Sequence, residues 1–314
     1  MKRFLSKVIS MCVILGILLL LLNAAYMSTA YYRDLNDMGK FSDMPKHIDI
    51  VNFGNSHAFC CFDWGDYKEF AGANMALPSQ TITYDEAILN QYFGHLHEGS
   101  LVVLEISFRS LYEEEVFSEE SSAITRYYRV LSRGYFKHWN LADAIKYKYL
   151  PVLGDRGTAI LKIVEEWTDA GEMSELQEKE PDLSDMSAFG QERADTFMQQ
   201  SGSQELGEQY EALVRIIEKC KSNDIQIILI TAPTMSCFYE GFTEEFLDKF
   251  YADMEEISKT YDVRYIDYTG DARFPDDKDL FKDPDHMTAY GSKLFTEVFL
   301  QDNASVLWFY NGTG

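Results

Sequence analysis

Apolar runs that alternate with amphipathic segments predict an α/β fold. Runs at residues 47–53, 101–107, 225–232 and 263–268 predict strands, and a shorter apolar stretch lies at 73–77. Apolar residues at helical spacing predict helices at 81–95, 205–221, 244–261 and 288–301. The continuous run LVVLEIS at 101–107 is typical of a strand buried on both faces of a parallel sheet. Repeated strand–helix units therefore predict a parallel sheet with right-handed crossovers.

One long interval, residues 112–202, does not fit a single crossover. It is far longer than common loops, rich in aromatic and basic residues at 127–153, and acidic and polar at 172–187. We interpret it as a mostly helical insertion that forms one wall of a cleft.

The amino terminus has the pattern of a membrane anchor. Lys2, Arg3 and Lys7 precede an apolar run over 8–22 that extends towards Tyr26. With this extension the segment nears the roughly 20 residues needed to cross hydrocarbon, and the preceding positive charge predicts a cytoplasmic amino terminus. We expect a single-pass cell-membrane protein, with an anchor at 1–30 and an extracytoplasmic domain at 31–314. A cleaved signal peptide is the alternative, since residues 28–30 (Ser-Thr-Ala) are small.

Charge and cysteine content argue against some classes of partner and of metal site. The 314 residues carry a formal charge of −23, which argues against nucleic acid as a partner because such binding needs clustered Lys and Arg. The sequence contains no CxxC motif, so we expect no structural zinc site. The sequence leaves open whether Cys60, Cys61, Cys220 and Cys237 are free thiols or include one disulfide.

Two short motifs carry candidate chemistry. Residues 54–57 (Gly-Asn-Ser-His) follow the first predicted strand, and residues 283–286 (Asp-Pro-Asp-His) precede the last predicted helix. A serine at the carboxyl end of a parallel strand lies where such folds bind ligands. Ser56 would need a base, which His286 can supply, and Asp283 can orient that imidazole.

Simpler interpretations stay open for each residue. Ser56 could only cap a helix, Asp283 and His286 could only begin the last helix, and His57 could only hold the loop. A two-metal site is a further alternative, since 54–57 and 94–97 (Gly-His-Leu-His) faintly resemble metallophosphatase blocks. The first strand lacks the Asp-x-His ligands such a site requires, so we expect no metal and no cofactor.

On these two motifs the chain resembles the SGNH hydrolase superfamily, and within it the membrane-anchored branch of DltD-like and polysaccharide O-acetylation proteins. The resemblance covers about residues 45–300, but only the two end blocks are specific. It implies a three-layer flavodoxin-like fold with Ser56 as nucleophile and Asp283 and His286 completing a triad.

The middle blocks differ from the family pattern. After Asn74, the place of an oxyanion glycine falls on Ser79, whose backbone N–H could still donate. The block that normally supplies an asparagine reads Ser-Phe-Arg at 107–109, so Arg109 could replace the amide, bind an anionic substrate, or be an ordinary surface residue.

Anchor and resemblance together imply an extracytoplasmic serine esterase or acyltransferase. Its implied substrate is a cell-envelope polysaccharide or teichoic-acid-like polymer, with acetyl preferred over D-alanyl as the acyl group. The implied partner is a membrane-bound O-acyltransferase. The altered middle blocks keep a second hypothesis open, a noncatalytic binding or assembly subunit of a membrane O-acylation system.

Overall fold

A computed structural model of the chain describes residues 1–34, 38–42, 44–113, 122–136, 139–168 and 186–307. These residues divide into two compact units, of which the first comprises 1–43 and 117–178 and the second 44–116 and 179–314. The predicted insertion at 112–202 is thus shared between the units. Much of its polar stretch, residues 172–185, lies outside the described residues.

The second unit is built on a parallel sheet of five strands in the order β2-β1-β3-β4-β5. This is the flavodoxin-like order, so the predicted α/β fold with a parallel sheet is confirmed. The five strands are β1 Ile48–Phe53, β2 Gly72–Asn74, β3 Leu96–Glu105, β4 Gln226–Thr231 and β5 Arg264–Asp267. A separate two-stranded antiparallel hairpin consists of β6 Phe281–Asp283 and β7 His286–Met287.

The four amphipathic segments predicted at 81–95, 205–221, 244–261 and 288–301 each form a helix. The helices of the second unit are α3 Ser56–Cys61, α4 Ile82–Tyr92, α9 Met186–Ser201, α10 Glu208–Lys221, α11 Ser236–Tyr239, α12 Glu244–Tyr261 and α13 Ala289–Asp302. In the first unit they are α1 Lys2–Ser28, α2 Ala30–Asp34, α5 Ser122–Thr125, α6 Tyr127–Val130, α7 Leu141–Ala144 and α8 Arg156–Thr168.

The sheet is the middle of three layers. Alternate strand residues such as Ile50 and Val103 share a core with Phe295 and Phe299 of α13. Their neighbours along the strands, including Val102, are equally buried and point to the opposite face. On that side α4 packs against α10. Burial on both faces explains why these strands read as unbroken apolar runs.

Two details depart from the predicted pattern. β3 begins at Leu96, earlier than the apolar run at 101–107, because the polar residues before that run continue the strand beside β1. The β6–β7 hairpin was not predicted, since its strands are too short to give a period.

All five cysteines are free thiols, so the open disulfide question is answered in favour of free cysteines.

The first unit begins with α1, which is long and apolar enough to cross a membrane. Its apolar window is almost wholly outside the protein interior, with 6% of it buried, which is unlike a core helix. The length and composition support the predicted anchor, although a signal sequence has the same properties. The predicted boundary at residue 30 and the orientation remain predictions.

Candidate active site

The β6–β7 hairpin places Asp283 beside His286. The two residues are directly opposite each other across the hairpin, with Pro284 and Asp285 at its tip. His286 Nδ1 lies 2.8 Å from Asp283 Oδ1 and 2.9 Å from Oδ2. A carboxylate accepts from an N–H, so this contact favours the tautomer protonated on Nδ1 and leaves Nε2 available as a base.

Ser56 begins α3, and the geometry of β1 explains how it reaches that position. Gly54 has a φ of +130°, and a Cβ there would lie 2.9 Å from the Cβ of Ala58 and 3.0 Å from that of Glu105. Only glycine fits such a left-handed, crowded turn. The tight turn sends the chain directly from the strand into α3.

Asn55, rather than Ser56, caps α3. Its Oδ1 accepts from the N–H of His57 at 2.8 Å, and its Nδ2 donates to Ser107 Oγ at 2.8 Å. Thr288 likewise caps α13. Ser56 is therefore the first residue of α3 and not its cap, and Asp283 and His286 lie in the hairpin and not at the start of α13.

The two predicted motifs meet in space. Helix α3 lies against β7, and the rings of His57 and His286 are 5.5 Å apart, edge to face. Since Ser56 precedes His57 in the chain, the candidate nucleophile and the candidate base belong to adjacent elements. Their catalytic roles remain predictions.

A buried ionic network supports this junction. His57 Nε2 lies 3.1 Å from Asp285 Oδ2, and His57 Nδ1 lies 3.7 Å from Glu105 Oε1. Arg193 of α9 binds Asp285 with two N–H groups, at 3.2 Å and 2.7 Å. The His57 ring stacks on Phe197 of the same helix.

The network fixes the charges of its members. Burial disfavours the charged form of His57, but the hydrogen bond to Asp285 and the proximity of Glu105 outweigh it and raise its pKa to about 9. Burial alone would raise the pKa of Asp285, yet His57, His286 and Arg193 together hold it well below its usual range. At neutral pH the pair is thus an imidazolium and a carboxylate.

His57, Asp285 and His286 also offer three ligand atoms within 4.8 Å of one another, a set that could hold a metal ion. One contact competes with such a use, because a guanidinium already binds both oxygens of Asp285.

The remaining predicted site residues lie near the junction with partners of their own. Asn74 donates to the carbonyls of Phe59 and Phe62 and accepts from Asn52 and Ala76. This bonding braces the end of α3 against β2. A substrate-binding role for Asn74 stays a prediction. Its side chain already makes four hydrogen bonds within the protein.

Ser79 is exposed and has a φ of +54°, a conformation that favours glycine. Its loop is fixed beside the motif by a bond from the N–H of Leu77 to the carbonyl of Gly54. The oxyanion role of the Ser79 backbone N–H remains a prediction.

Arg109 lies over the ring of Phe197, and its Nη1 donates to Glu113 and Gln200. Arg109 is therefore bonded to residues of α9 and is not an isolated surface side chain.

Sequence reasoning missed three members of the network. Asp285 was visible inside the second motif, and Glu105 was a carboxylate at the end of an otherwise apolar strand, which is a recognisable signal. Arg193 gave no usable signal, because it follows a polar stretch with no motif of its own.

No protein-family model and no curated protein matches the sequence. Among solved structures the chain is similar to a "putative acylhydrolase" from Bacteroides fragilis. That match has 12% sequence identity and a TM-score of 0.40, and it covers 88% of this chain and 98% of that chain. A likeness this distant identifies no reaction, so the chemistry has to be inferred from this chain's own residues.

Asp85 gives a testable property of the loop that carries Gly54 and Ser56. Its Oδ1 accepts from the N–H of Gly54 and from Gln80. Burial raises its pKa from 3.8 to about 8, although those two bonds oppose the shift. An acid with a raised pKa keeps its proton at neutral pH, and the fold loses stability as pH rises from about 4 through 8.

We therefore expect Asp85→Asn to be tolerated, because the amide keeps the acceptor oxygen and removes the titration. At pH 9 the variant should be more stable than the wild type by about 1–3 kcal/mol, and at pH 5 the difference should shrink. Urea unfolding at the two pH values measures it. A variant that is less stable at both would show that the carboxylate itself is needed.

Proposed function

We propose that the protein is a serine esterase or O-acyltransferase, with Ser56 as nucleophile, His286 as general base and Asp283 as the residue that orients it. One observation carries the proposal. The hydrogen-bonded Asp283–His286 pair lies against the short helix that begins with Ser56. This is the set of groups that hydroxyl-based acyl transfer requires.

In the first half-reaction, Ser56 Oγ attacks the acyl carbonyl while His286 Nε2 takes its proton. The tetrahedral intermediate collapses to an acyl-serine ester, and His286 returns the proton to the departing alcohol. In the second half, water or a sugar hydroxyl attacks the ester by the same route. Water gives hydrolysis, and a sugar hydroxyl gives transfer.

Backbone donors would stabilise the oxyanion. The N–H groups of Ser56 and Ser79 are the candidates, because the Leu77–Gly54 bond holds their two loops together. Ser107 begins the block in which the resembled family has an asparagine, and its hydroxyl accepts from Asn55. We propose that this side chain positions the nucleophile loop instead of donating to the oxyanion.

For the substrate we propose an O-acylated cell-envelope polysaccharide or teichoic-acid-like polymer, with acetyl preferred over D-alanyl. The long apolar α1 and the family resemblance support this class. An enzyme anchored outside the membrane would act close to a membrane-bound O-acyltransferase, the proposed partner. Mass analysis of envelope polymers with and without the protein tests this part, through a missing or excess acyl mass.

A fluorophosphonate probe tests the nucleophile directly. An activated serine displaces fluoride and forms a stable phosphonyl ester, and peptide mapping locates it. We expect the adduct on Ser56, and we expect Asp283→Asn to slow its formation at least tenfold because the imidazole loses its orienting carboxylate.

Ser222→Ala is the control, since it removes an exposed serine hydroxyl outside both motifs. Its labelling should match the wild type. A well-folded protein that forms no adduct on Ser56 would contradict the proposal and favour the noncatalytic assembly subunit.

A further inference from the structure

The carboxyl-terminal end of α1 is built into the first unit. Tyr26 is fully buried, and its hydroxyl donates to Asp155 at 2.8 Å. Asn23 donates to the carbonyl of Tyr149 and accepts from the N–H of Val152. These bonds make the end of the apolar helix part of the folded unit, as expected for a retained segment and not for a removed leader.

Helix α8 reaches the apolar run of α1. Leu19 and Ala25 of α1 pack against a buried cluster to which α8 contributes two residues. The cluster consists of Tyr26, Tyr32, Val152, Ala159 and Ile163. Since Leu19 lies within the apolar run at 8–22, this cluster extends alongside the candidate membrane span.

The next stripe of α8 is apolar and uncovered. Ile160, Leu161, Val164 and Trp167 are 57%, 54%, 49% and 72% exposed. Their spacing puts them on one side of the helix, next to the stripe formed by Ala159 and Ile163. We call these four residues the α8 stripe.

A second apolar row lies in the same unit. Leu141, Ile145 and Tyr149 are also exposed, and they are four residues apart. Tyr149 is the residue whose carbonyl Asn23 binds. Both exposed rows therefore adjoin the same end of α1.

We infer that the α8 stripe is immersed in the lipid leaflet that surrounds the carboxyl-terminal end of α1. Its position follows from the packing of Leu19, because a helix beside a membrane span meets lipid on its uncovered side. The composition fits, since apolar residues with an exposed tryptophan and tyrosine are typical of the membrane interface. The polar side of α8, where Lys162 pairs with Glu165, would then face water. The inference requires α1 to cross the membrane but is independent of the proposed acyl transfer.

Trp167 provides the test. The full-length protein is placed in lipid nanodiscs at one copy per disc, with plain lipids or with lipids brominated near the headgroup. The signal of interest is the fluorescence difference between the wild type and Trp167→Phe, because the chain has four tryptophans. We expect bromine to quench most of that difference. An unchanged difference would overturn the inference, and quenching that disappears at two copies per disc would assign the stripe to a second copy of the chain.

Cysteine labelling gives an independent readout. Val164→Cys lies on the stripe, and the neighbouring Glu165→Cys, on the polar side, is the control. With a water-soluble maleimide in plain nanodiscs, we expect Val164→Cys to react about tenfold more slowly, because the reactive thiolate forms only where water reaches it. Equal rates would contradict lipid immersion even if both variants fold normally.

Discussion

Replacing Ser56 by alanine is expected to lower the kcat for hydrolysis of an acetyl ester a thousandfold or more. The physical reason is that the proposed acyl-enzyme route is lost when the proposed nucleophile is removed, while substrate binding and the backbone oxyanion donors remain. Purified protein with a chromogenic acetyl ester measures the effect.

The neighbouring histidines, His286 and His57, should respond differently to substitution, with His286 affecting kcat and His57 affecting stability. His286→Gln should reduce kcat to a similar extent without a large change in thermal stability, since His286 is the proposed base. A Ser56→Ala protein that folds and turns over at the wild-type rate would remove this serine from the mechanism.

Replacing His57 by leucine is expected to act on stability. The change leaves Asp285 with Arg193 and the more distant His286, and it leaves the buried Glu105 without its cationic neighbour. Removing one partner of a buried ion pair costs about 3–5 kcal/mol. Denaturant unfolding measures the loss.

Two further variants separate charge from packing. Glu105→Gln in the His57→Leu background should recover part of the loss, because it removes one uncompensated carboxylate. Arg193→Gln should cost less than His57→Leu, since the Arg193 side chain is 32% exposed and water can replace part of its bonding. A His57→Leu protein as stable as the wild type would show that the network is energetically neutral.

The pH dependence has a defined sign. The pKa of His57 is raised from 6.5 to about 9, so the stability it contributes is complete below pH 6.5 and is lost as pH rises through 9. The His57→Leu variant should lack this part of the alkaline decline. The loss of stability due to Asp85 occurs in an overlapping pH range, so the comparison is best made in the Asp85→Asn background.

The apolar pattern was sufficient to predict the sheet and its connecting helices, because strands buried on both faces leave an unbroken signal. The two short motifs pointed to Ser56, Asp283 and His286 by residue type and spacing, and the catalytic roles of these residues remain predictions. The partnership of His57 with Asp285 could not be predicted, since the two lie 228 positions apart and only tertiary folding joins them. The contribution of Arg193 depends on where α9 packs, which no local pattern encodes.

The position of Asp285 has a consequence for how such chains diverge. Asp285 at the hairpin tip pairs with both His57 and the guanidinium of Arg193 from α9. Changes at positions 57 and 285 should therefore be inherited together, with position 193 following more weakly, because losing either member of the buried pair leaves an uncompensated charge. Covariation among these three positions, with Ser56 and His286 held fixed, would be the evolutionary record of that constraint.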